Sequence, residues 1–318
     1  MSHMAQLMAA AQQNSGGSKA APIGGRRLSV GERAPVGNVG KAQSQRTNQT
    51  NSNEEKSAGT NITGLPPGVV EAYIVQRYIS NPLLLGGKKF DLRIYVLVPS
   101  YSPLTVWVYR EGFARLSMSR YSNSKSSMTN NAVHLTNVAV QKVSPGYDAS
   151  HGGKYDLNEL KSFLVSRFGG SRVDKALFDI ESLIIVSLKA VEAKVAPDRH
   201  SFELYGYDVM LDAELKPWLL EVNASPSLTA NTKNDYRMKF NMLDDAFNVL
   251  NTEEVIPRDK YPDLRRIGGF DLLYRSDLGR ILEPANSVMR SRLGRYNDRR
   301  ECLRDLAMEL AAAYQPTR

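Results

Sequence analysis

Oxygen-bearing side chains are concentrated in two consecutive strand-like segments, FELYGYDVMLD at residues 202–212 and KPWLLEVNA at residues 216–224. Glu221 and Asn223 are two residues apart and therefore share one face of their strand, and a tight turn brings Asp208 beside them. Burying carboxylates in this way is costly unless a positive charge neutralises them. An all-oxygen set without nearby Cys or His favours Mg²⁺ over zinc. The spacing also fits surface carboxylates at a strand edge, so both interpretations stay open.

Charged side chains alternate with apolar ones in the run KKFDLR at residues 88–93. The alternation places Lys89, Asp91 and Arg93 on one face of a strand, and Arg115 on a neighbouring strand adds another cation. Guanidinium groups match phosphate oxygens, so such a face could hold a ribose and a phosphate chain. No G-x-x-x-x-G-K-[ST] motif occurs, which leaves a Walker-type site unsupported. A charged, solvent-facing strand explains the pattern equally well.

A third polar group lies in VHLTNVAVQK at residues 133–142. His134 could act as a base or a ligand, although a single histidine is more often structural. Thr136 and Asn137 could hydrogen-bond a ribose, or they could cap a turn.

Strands must position these groups, and apolar periodicity predicts where the strands run. VEAYIVQRYI, at residues 70–79, is apolar and β-branched like a strand. FDLRIYVLV predicts a strand whose alternate residues from Phe90 to Val96 share one face. LTVWVYR and EGFARLSMSR predict a hairpin with its turn at Glu111-Gly112. The segments 202–212 and 216–224 predict two more strands, joined by a short polar turn.

Helical periodicity marks four further segments, DLNELKSFLVSRFG, VDKALFDIESLIIVSLKAVEAKV, DYRMKFNMLDDAFNVL and RRECLRDLAMELAAAY. Gly169-Gly170 follows the first segment and Pro197 follows the second, and both are helix-stop signals. No internal repeat is visible. The mixture predicts an α+β fold with an antiparallel sheet flanked by helices.

Composition divides the 318 residues into three regions. Residues 1–66 contain no Phe, Tyr or Trp and are rich in Gly, Ser, Asn, Gln and Ala, so we expect a disordered low-complexity segment. Residues 67–255 carry most of the periodic elements. Residues 256–318 are predicted to form a basic C-terminal extension with a terminal helix.

The charge balance favours an acidic partner, because the net charge is +8 and the pI is about 9.4. The same charge balance is also found in soluble basic proteins that have no particular acidic partner. The basic residues are scattered without a nucleic-acid motif or an aromatic stacking platform, so we expect no nucleic-acid binding. The single Cys302 excludes an internal disulfide and favours a reducing compartment. No apolar run reaches the roughly 18 residues of a membrane span.

Seven short motifs in a fixed order resemble the tubulin tyrosine ligase-like family, and within it the polyglutamylase branch. They are QRYI at 76–79, NPLL at 81–84, KFDLR at 89–93, GFAR at 112–115, HLTN at 134–137, GYD at 206–208 and WLLEVNASP at 218–226. Each motif alone is weak, but the ordered set is specific and covers about residues 69–249. The resemblance implies an ATP-grasp fold with ATP and Mg²⁺ as cofactors.

The resemblance also implies a role for each matching residue. The adenine would be lined by Gln76, Arg77 and Ile79. The ribose side would be held by Lys89, Asp91 and Thr136. The γ-phosphate and its developing charge would be bound by Arg93 and Arg115. Magnesium would be held by Asp208, Glu221 and Asn223, and the catalytic set would be Arg93, Arg115 and Glu221.

The reaction implied by the resemblance is an ATP-dependent ligation. ATP would phosphorylate the γ-carboxylate of a glutamate in an acidic tubulin C-terminal tail, and the amine of free glutamate would attack the acyl phosphate. Tubulin and microtubules are therefore the expected partners. The expected location is the cytoplasm and cytoskeleton, with cilium, flagellum or basal body expected from the family.

The chain departs from the family at its N-terminal end. The family's catalytic unit carries further elements before the Gln76 region, including a lysine for the α- and β-phosphates, and residues 1–66 contain no equivalent. We therefore expect half of the ATP cleft to be absent. A non-catalytic microtubule-binding member is one alternative, and a tubulin glycylase is another, because no residue fixes which amino acid is added.

Overall fold

The computed structural model describes residues 75–142, 153–196, 198, 200–253, 256, 264–281 and 289–313. The predicted disordered segment, residues 1–66, lies outside the described residues. The described residues from Tyr78 onward belong to one compact unit, whereas Val75, Gln76 and Arg77 are grouped with a second unit. No described helix combines the length and the apolar character that a membrane crossing requires.

A nine-stranded antiparallel sheet organises the described part of the chain. Its strands are β1 (Leu84–Leu85), β2 (Lys88–Tyr101), β3 (Leu104–Leu116), β4 (Lys154–Asp156), β5 (Glu203–Leu211), β6 (Pro217–Asn223), β7 (Arg266–Ile267), β8 (Phe270–Arg275) and β9 (Gly279–Arg280). The main order is β6-β5-β2-β3-β8-β7, with β1 paired to β2, β4 to β3 and β9 to β8. The two strands predicted at residues 202–224 are confirmed as the neighbours β5 and β6.

Helices cover both faces of this sheet. They are α1 (Asn131–His134), α2 (Val138–Lys142), α3 (Leu157–Phe168), α4 (Gly170–Glu192), α5 (Lys233–Leu250) and α6 (Arg299–Ala313), with a short 3₁₀ turn at Lys125–Ser127. The four predicted helical segments are thereby confirmed. Gly169 ends α3 with a φ of 83°, a conformation that glycine adopts without strain.

Two apolar cores lie on opposite faces of β2. Phe90, Leu92 and Ile94 point into a core shared with α3 and α4, which confirms their predicted common face. Tyr95 and Leu97 point the other way, into a core with the buried face of α5. β2 is therefore buried on both sides, and a polar residue on either face loses contact with water.

The predicted hairpin turn is wrong, and the described part of the segment at residues 70–79 is not a strand. β3 runs unbroken through Glu111-Gly112, and the hairpin turn lies instead between Tyr101 and Leu104. Gly112 serves close packing, because a Cβ there would lie 2.4 Å from the carbonyl oxygen of Arg93. In the other segment, residues 75–80 have no regular secondary structure, and the side chain of Val75 is 94% exposed. The remainder of that segment lies outside the described residues.

The C-terminal region contributes to the same sheet. β8 pairs with β3, so that Val108 lies opposite Asp271. Arg110 Nε donates to Asp271 Oδ2 at 2.7 Å, and Arg110 Nη1 donates to Asp298 Oδ1 at 3.0 Å. These ion pairs join residues on both sides of the predicted boundary at 255. The predicted region boundaries themselves remain predictions.

Candidate active site

Four charged side chains on three neighbouring strands form a buried ion-pair network, here called the arginine–aspartate network. The sheet register places Arg93 of β2 opposite Asp208 of β5. It places Asp91 of β2 opposite Arg115 of β3. Arg93 Nε donates to Asp208 Oδ1 at 2.6 Å, and its Nη2 donates to Oδ2 at 3.2 Å. Arg115 Nη2 donates to Asp208 Oδ2 at 2.7 Å, and Arg115 also binds both oxygens of Asp91.

Burial decides between the interpretations that the sequence left open. The exposed fractions are 3% for Asp91, 7% for Arg93 and 2% for Asp208. The solvent-facing alternative is therefore wrong for Asp91 and Arg93, and the surface-carboxylate alternative is wrong for Asp208. Charges buried to this extent are tolerated only when they are paired.

The two arginines hold Asp208 in its charged form. Burial alone would raise the pKa of this carboxyl, but Arg93 and Arg115 outweigh burial and hold the pKa below its ordinary value. Burial also opposes the charge of Arg115, yet Asp91 and Asp208 raise its pKa above the usual range. Two cationic guanidinium groups are thus fixed at one face of the sheet.

A glycine gives Arg93 the room that it occupies. Gly206 of β5 is buried, and a Cβ there would lie 3.2 Å from Arg93 Cδ and 2.8 Å from Pro226 Cβ. Any larger residue at this position would have to displace one of these neighbours. Gly206 therefore allows Arg93 to pack closely against β5.

β6, at the edge of the sheet, presents the other two predicted metal-binding residues. Glu221 is the cross-strand partner of Asp208, and a register shift follows this pair. Asn223 Nδ2 donates to Gly206 O at 3.1 Å and to Glu221 Oε1 at 3.2 Å. Glu221 is exposed, so its carboxylate meets solvent. The strand pair thus places Glu221 opposite Asp208 and Asn223 in contact with Glu221.

Within the described ranges, no group of three or more His, Cys, Asp or Glu side chains could hold a metal ion. The predicted metal-binding set contains two carboxylates, and Asn223 would add an amide oxygen.

His134 and Lys89 both contact Tyr78 near the beginning of β2. His134 Nδ1 hydrogen-bonds Tyr78 Oη at 2.7 Å, and its Nε2 hydrogen-bonds the Ser127 carbonyl oxygen at 3.0 Å. Both ring nitrogens thus have protein partners, as expected for a structural histidine. Lys89 Nζ lies 3.4 Å from Tyr78 Oη and 4.8 Å from the centroid of its ring. Burial lowers the pKa of Lys89.

The other predicted nucleotide residues lie in exposed or half-buried positions. Ile79, beside Tyr78, is half-buried, and so is Thr136, which lies between α1 and α2. The carbonyl oxygen of the neighbouring Asn137 accepts hydrogen bonds from two backbone N–H groups of α2. Gln76 and Arg77 are exposed.

A second buried charge cluster, which was not predicted from the sequence, lies beside the network. Lys154 Nζ of β4 lies 2.7 Å from Asp235 Oδ2, and Lys239 Nζ of α5 lies 3.0 Å from Asp235 Oδ1. Lys154 is the cross-strand partner of Arg115. The signal available was an Asp–Lys pair four residues apart on one face of an amphipathic helix. Only the fold shows that this face is buried.

The family comparison assigns a class to the protein that carries this sheet and its arginine–aspartate network. The model of the tubulin-tyrosine ligase family matches residues 45–261, and the chain belongs to this family. Its fold is therefore ATP-grasp-like, as predicted, with an antiparallel sheet flanked by helices.

Individual curated proteins with similar sequences give a more specific comparison. The chain is 43% identical over 275 residues to "Probable tubulin polyglutamylase TTLL9" of Mus musculus, covering 83% of this chain and 57% of the relative. It is 50% identical over 204 residues to "Probable tubulin polyglutamylase ttll-9" of Caenorhabditis elegans, covering 64% and 48%. It is 43% identical over 227 residues to "Probable alpha-tubulin polyglutamylase Ttll1" of Tetrahymena thermophila, covering 68% and 54%. The chain thus spans about half the length of these relatives.

Proposed function

We propose that this chain carries the phosphate- and metal-binding part of a tubulin polyglutamylase, an ATP-dependent ligase. The observation that carries the proposal is the arginine–aspartate network, in which buried Arg93 and half-buried Arg115 both bind Asp208, the cross-strand partner of the exposed Glu221. The relatives carry the names of probable tubulin polyglutamylases, which supports the same reaction.

In the proposed reaction, the γ-carboxylate of a glutamate in a tubulin tail takes the γ-phosphoryl group of ATP and ADP leaves. The amine of free glutamate then attacks the acyl phosphate, an amide bond forms, and inorganic phosphate leaves. Both steps develop negative charge at the transferring phosphoryl group. Arg93 and Arg115 would stabilise that charge, and because Asp91 and Asp208 already orient them, they would need little reorganisation.

The oxygen donors of β5 and β6 fit a hard cation. Asp208, Glu221 and Asn223 would hold Mg²⁺, which prefers oxygen ligands and supplies charge neutralisation for phosphoryl transfer. Both oxygens of Asp208 accept from arginine, whereas Glu221 faces solvent. Glu221 is therefore the ligand most accessible to an incoming nucleotide–metal complex.

The ribose and the adenine of the nucleotide would lie at the beginning of β2, beside the hydrogen-bonded pair Tyr78 and His134. Lys89, Asp91 and Thr136 would contact the ribose side. Gln76, Arg77 and Ile79 would line the adenine. The contact between Lys89 and Tyr78 supports this placement, because it holds Tyr78, the residue before Ile79, at this end of β2.

Acidic tubulin tails are the proposed partner, and free glutamate is the proposed second substrate. The net charge of +8 favours association with such tails. A cytoskeletal location is proposed from this choice of partner, and a cilium or flagellum is proposed from the family resemblance.

The test is binding of ATP with Mg²⁺, measured by calorimetry on the chain and on Glu221→Gln. We expect the chain to bind and Glu221→Gln to bind at least tenfold more weakly, since one charged ligand is lost. Glu214→Gln is the matched control, because Glu214 is an exposed carboxylate in the β5–β6 turn that contacts Asn81. Its affinity should equal that of the unchanged chain.

Equal affinities in all three proteins would refute the role of Glu221, and no binding at all would refute the nucleotide site. A purely microtubule-binding role would then remain. Incubation with tubulin, ATP and labelled amino acids tests the reaction itself. Incorporation of glutamate supports the proposal, whereas incorporation of glycine alone would make the protein a glycylase.

A further inference from the structure

A cavity of about 290 Å³ opens at the β8–β7 edge of the sheet, opposite the edge that β6 forms. It is called here the arginine cavity, because its wall includes Arg265, Arg266, Arg290 and Arg292. α4, which supplies Glu181 to the wall, packs on the face of β2 opposite to Asp91 and Arg93. The arginine cavity is therefore separate from the proposed nucleotide site.

The wall of the arginine cavity carries an excess of positive charge. Glu181 and Asp271 are its two carboxylates, so four guanidinium groups against two carboxylates leave +2. Each carboxylate also binds an arginine from outside the wall. Glu181 Oε2 accepts from Arg280 at 2.9 Å, and Asp271 Oδ2 accepts from Arg110 at 2.7 Å. Burial raises the pKa of Glu181 to about 7, so part of its negative charge is absent near neutral pH.

Arg266 of β7 has N–H groups to offer a ligand. Its Nη2 donates to Asp298 Oδ1 at 2.6 Å and to Oδ2 at 2.7 Å. In the described part of the chain these are its hydrogen bonds, so Nη1 keeps its two N–H groups. Its Nε lies 3.5 Å from Asp271 Oδ1 and is buried without a hydrogen-bond partner there. Arg266 is thus held in place through one nitrogen while other donors remain unused.

Buried contacts fix the segment that carries Arg290 and Arg292 to α4. Asp174 Oδ1 accepts from the backbone N–H groups of Arg290 at 2.9 Å and of Ser291 at 3.1 Å. Ser291 is fully buried, and its Oγ donates to Glu181 Oε1 at 2.5 Å. These contacts use backbone groups and the Ser291 hydroxyl, so the segment is positioned without the arginine side chains.

We propose that the arginine cavity binds a small compound with more than one phosphate group, for which pyrophosphate is the probe. The wall arginines come from two separate segments, residues 265–266 and 290–292. A carboxylate offers them two oxygens in one plane and a single charge, whereas a phosphate group offers three oxygens in different directions and up to two charges. The volume lies near the lower end of the roughly 300–1,000 Å³ typical of small-molecule sites, which suits a compact ligand. The proposal goes beyond the proposed function and does not depend on it.

The experiment is calorimetry of the full chain with pyrophosphate, without Mg²⁺ and at about 0.15 M salt, which screens contacts with exposed charges. The test variant combines Arg290→Gln with Arg292→Gln and so removes two of the four wall arginines. We expect it to bind pyrophosphate at least tenfold more weakly than the unchanged chain, because charge-assisted hydrogen bonds are lost. Citrate, which carries carboxylates in place of phosphate groups, should bind the unchanged chain at least tenfold more weakly than pyrophosphate does.

Arg167→Gln combined with Arg172→Gln is the matched control, because it removes the same charge from exposed positions on α3 and α4. Its pyrophosphate affinity should not change. The test variant keeps the contacts of Asp174 and Ser291, so the fold should persist, and circular dichroism checks this. If the test variant does not fold, Arg290→Gln alone decides the proposal, since Arg290 is exposed. Its pyrophosphate affinity should fall at least threefold, and an unchanged affinity would count against the cavity.

Three results would overturn the inference: no pyrophosphate binding by the unchanged chain, equal pyrophosphate affinity of the unchanged chain and the test variant, or equal affinity for citrate and pyrophosphate. Pyrophosphate held by the arginine–aspartate network instead would give the second of these results. ATP with Mg²⁺ is titrated separately. Failure of the unchanged chain to bind ATP would refute the proposed nucleotide site, while the pyrophosphate comparison still decides the arginine cavity.

Discussion

Asp208→Asn is the substitution that most directly tests the arginine–aspartate network. Asp208 is 2% exposed and accepts hydrogen bonds from both Arg93 and Arg115. The asparagine has the same shape but no charge, and it replaces one acceptor oxygen by an NH₂ group that faces a guanidinium. Arg93 would then lack a carboxylate partner among the described residues, whereas Arg115 would keep Asp91.

The expected loss of stability follows from this geometry. Removing one partner of a buried ion pair typically destabilises a protein by about 3–5 kcal/mol, because the remaining charge stays buried without compensation. We therefore expect Asp208→Asn to lower the free energy of unfolding by about 3–5 kcal/mol. The same substitution type at an exposed pair, such as Asp179→Asn beside Lys175, should change it by about 0.5 kcal/mol or less.

Urea unfolding followed by circular dichroism, without nucleotide or metal, measures both values. Glu221→Gln is a second control, since Glu221 faces Asp208 across the strands but is exposed. It should leave stability nearly unchanged while weakening ATP binding. A loss below about 1 kcal/mol for Asp208→Asn would refute the view that the network is a tightly coupled buried unit.

Two further predictions concern packing and pH. Gly112→Ala should destabilise the protein by about 1–3 kcal/mol in urea unfolding, because the new Cβ would meet the Arg93 carbonyl oxygen at 2.4 Å. Gly170→Ala, with nothing within 4 Å of its Cβ, should be neutral or stabilising, and equal effects would contradict the argument. Burial raises the pKa of Glu181 from an ordinary value of 4.5 to about 7, so the folded state holds its proton more tightly than the unfolded chain does. Its contribution, on the order of 3 kcal/mol, is therefore complete below about pH 4.5 and is lost as the pH rises to about 7. Unfolding of Glu181→Gln should show a smaller fall in stability between pH 5 and 7, and an unchanged fall would rule out Glu181 as its source.

Local pattern alone was sufficient for most of the secondary structure. Alternation from Phe90 to Val96 predicted β2, and apolar spacing with Gly169 predicted α3 and its end. The prediction failed at Glu111-Gly112, where the pair of residues has the chemistry of a turn. The local sequence could not reveal that Gly112 passes closely over the Arg93 backbone, because that contact joins two strands.

The candidate site was also predictable from the sequence only in part. The sequence determined which side chains share a strand face, since alternation is a property of the strand itself, and the ordered motifs identified the family. The tertiary structure decided that Asp91, Arg93 and Asp208 are buried and paired, whereas Glu221 is exposed. It also decided that Lys154, Asp235 and Lys239 meet. Burial and pairing depend on which strands and helices become neighbours. Arg93 and Asp208, which are 115 positions apart, carry no local signal of that choice.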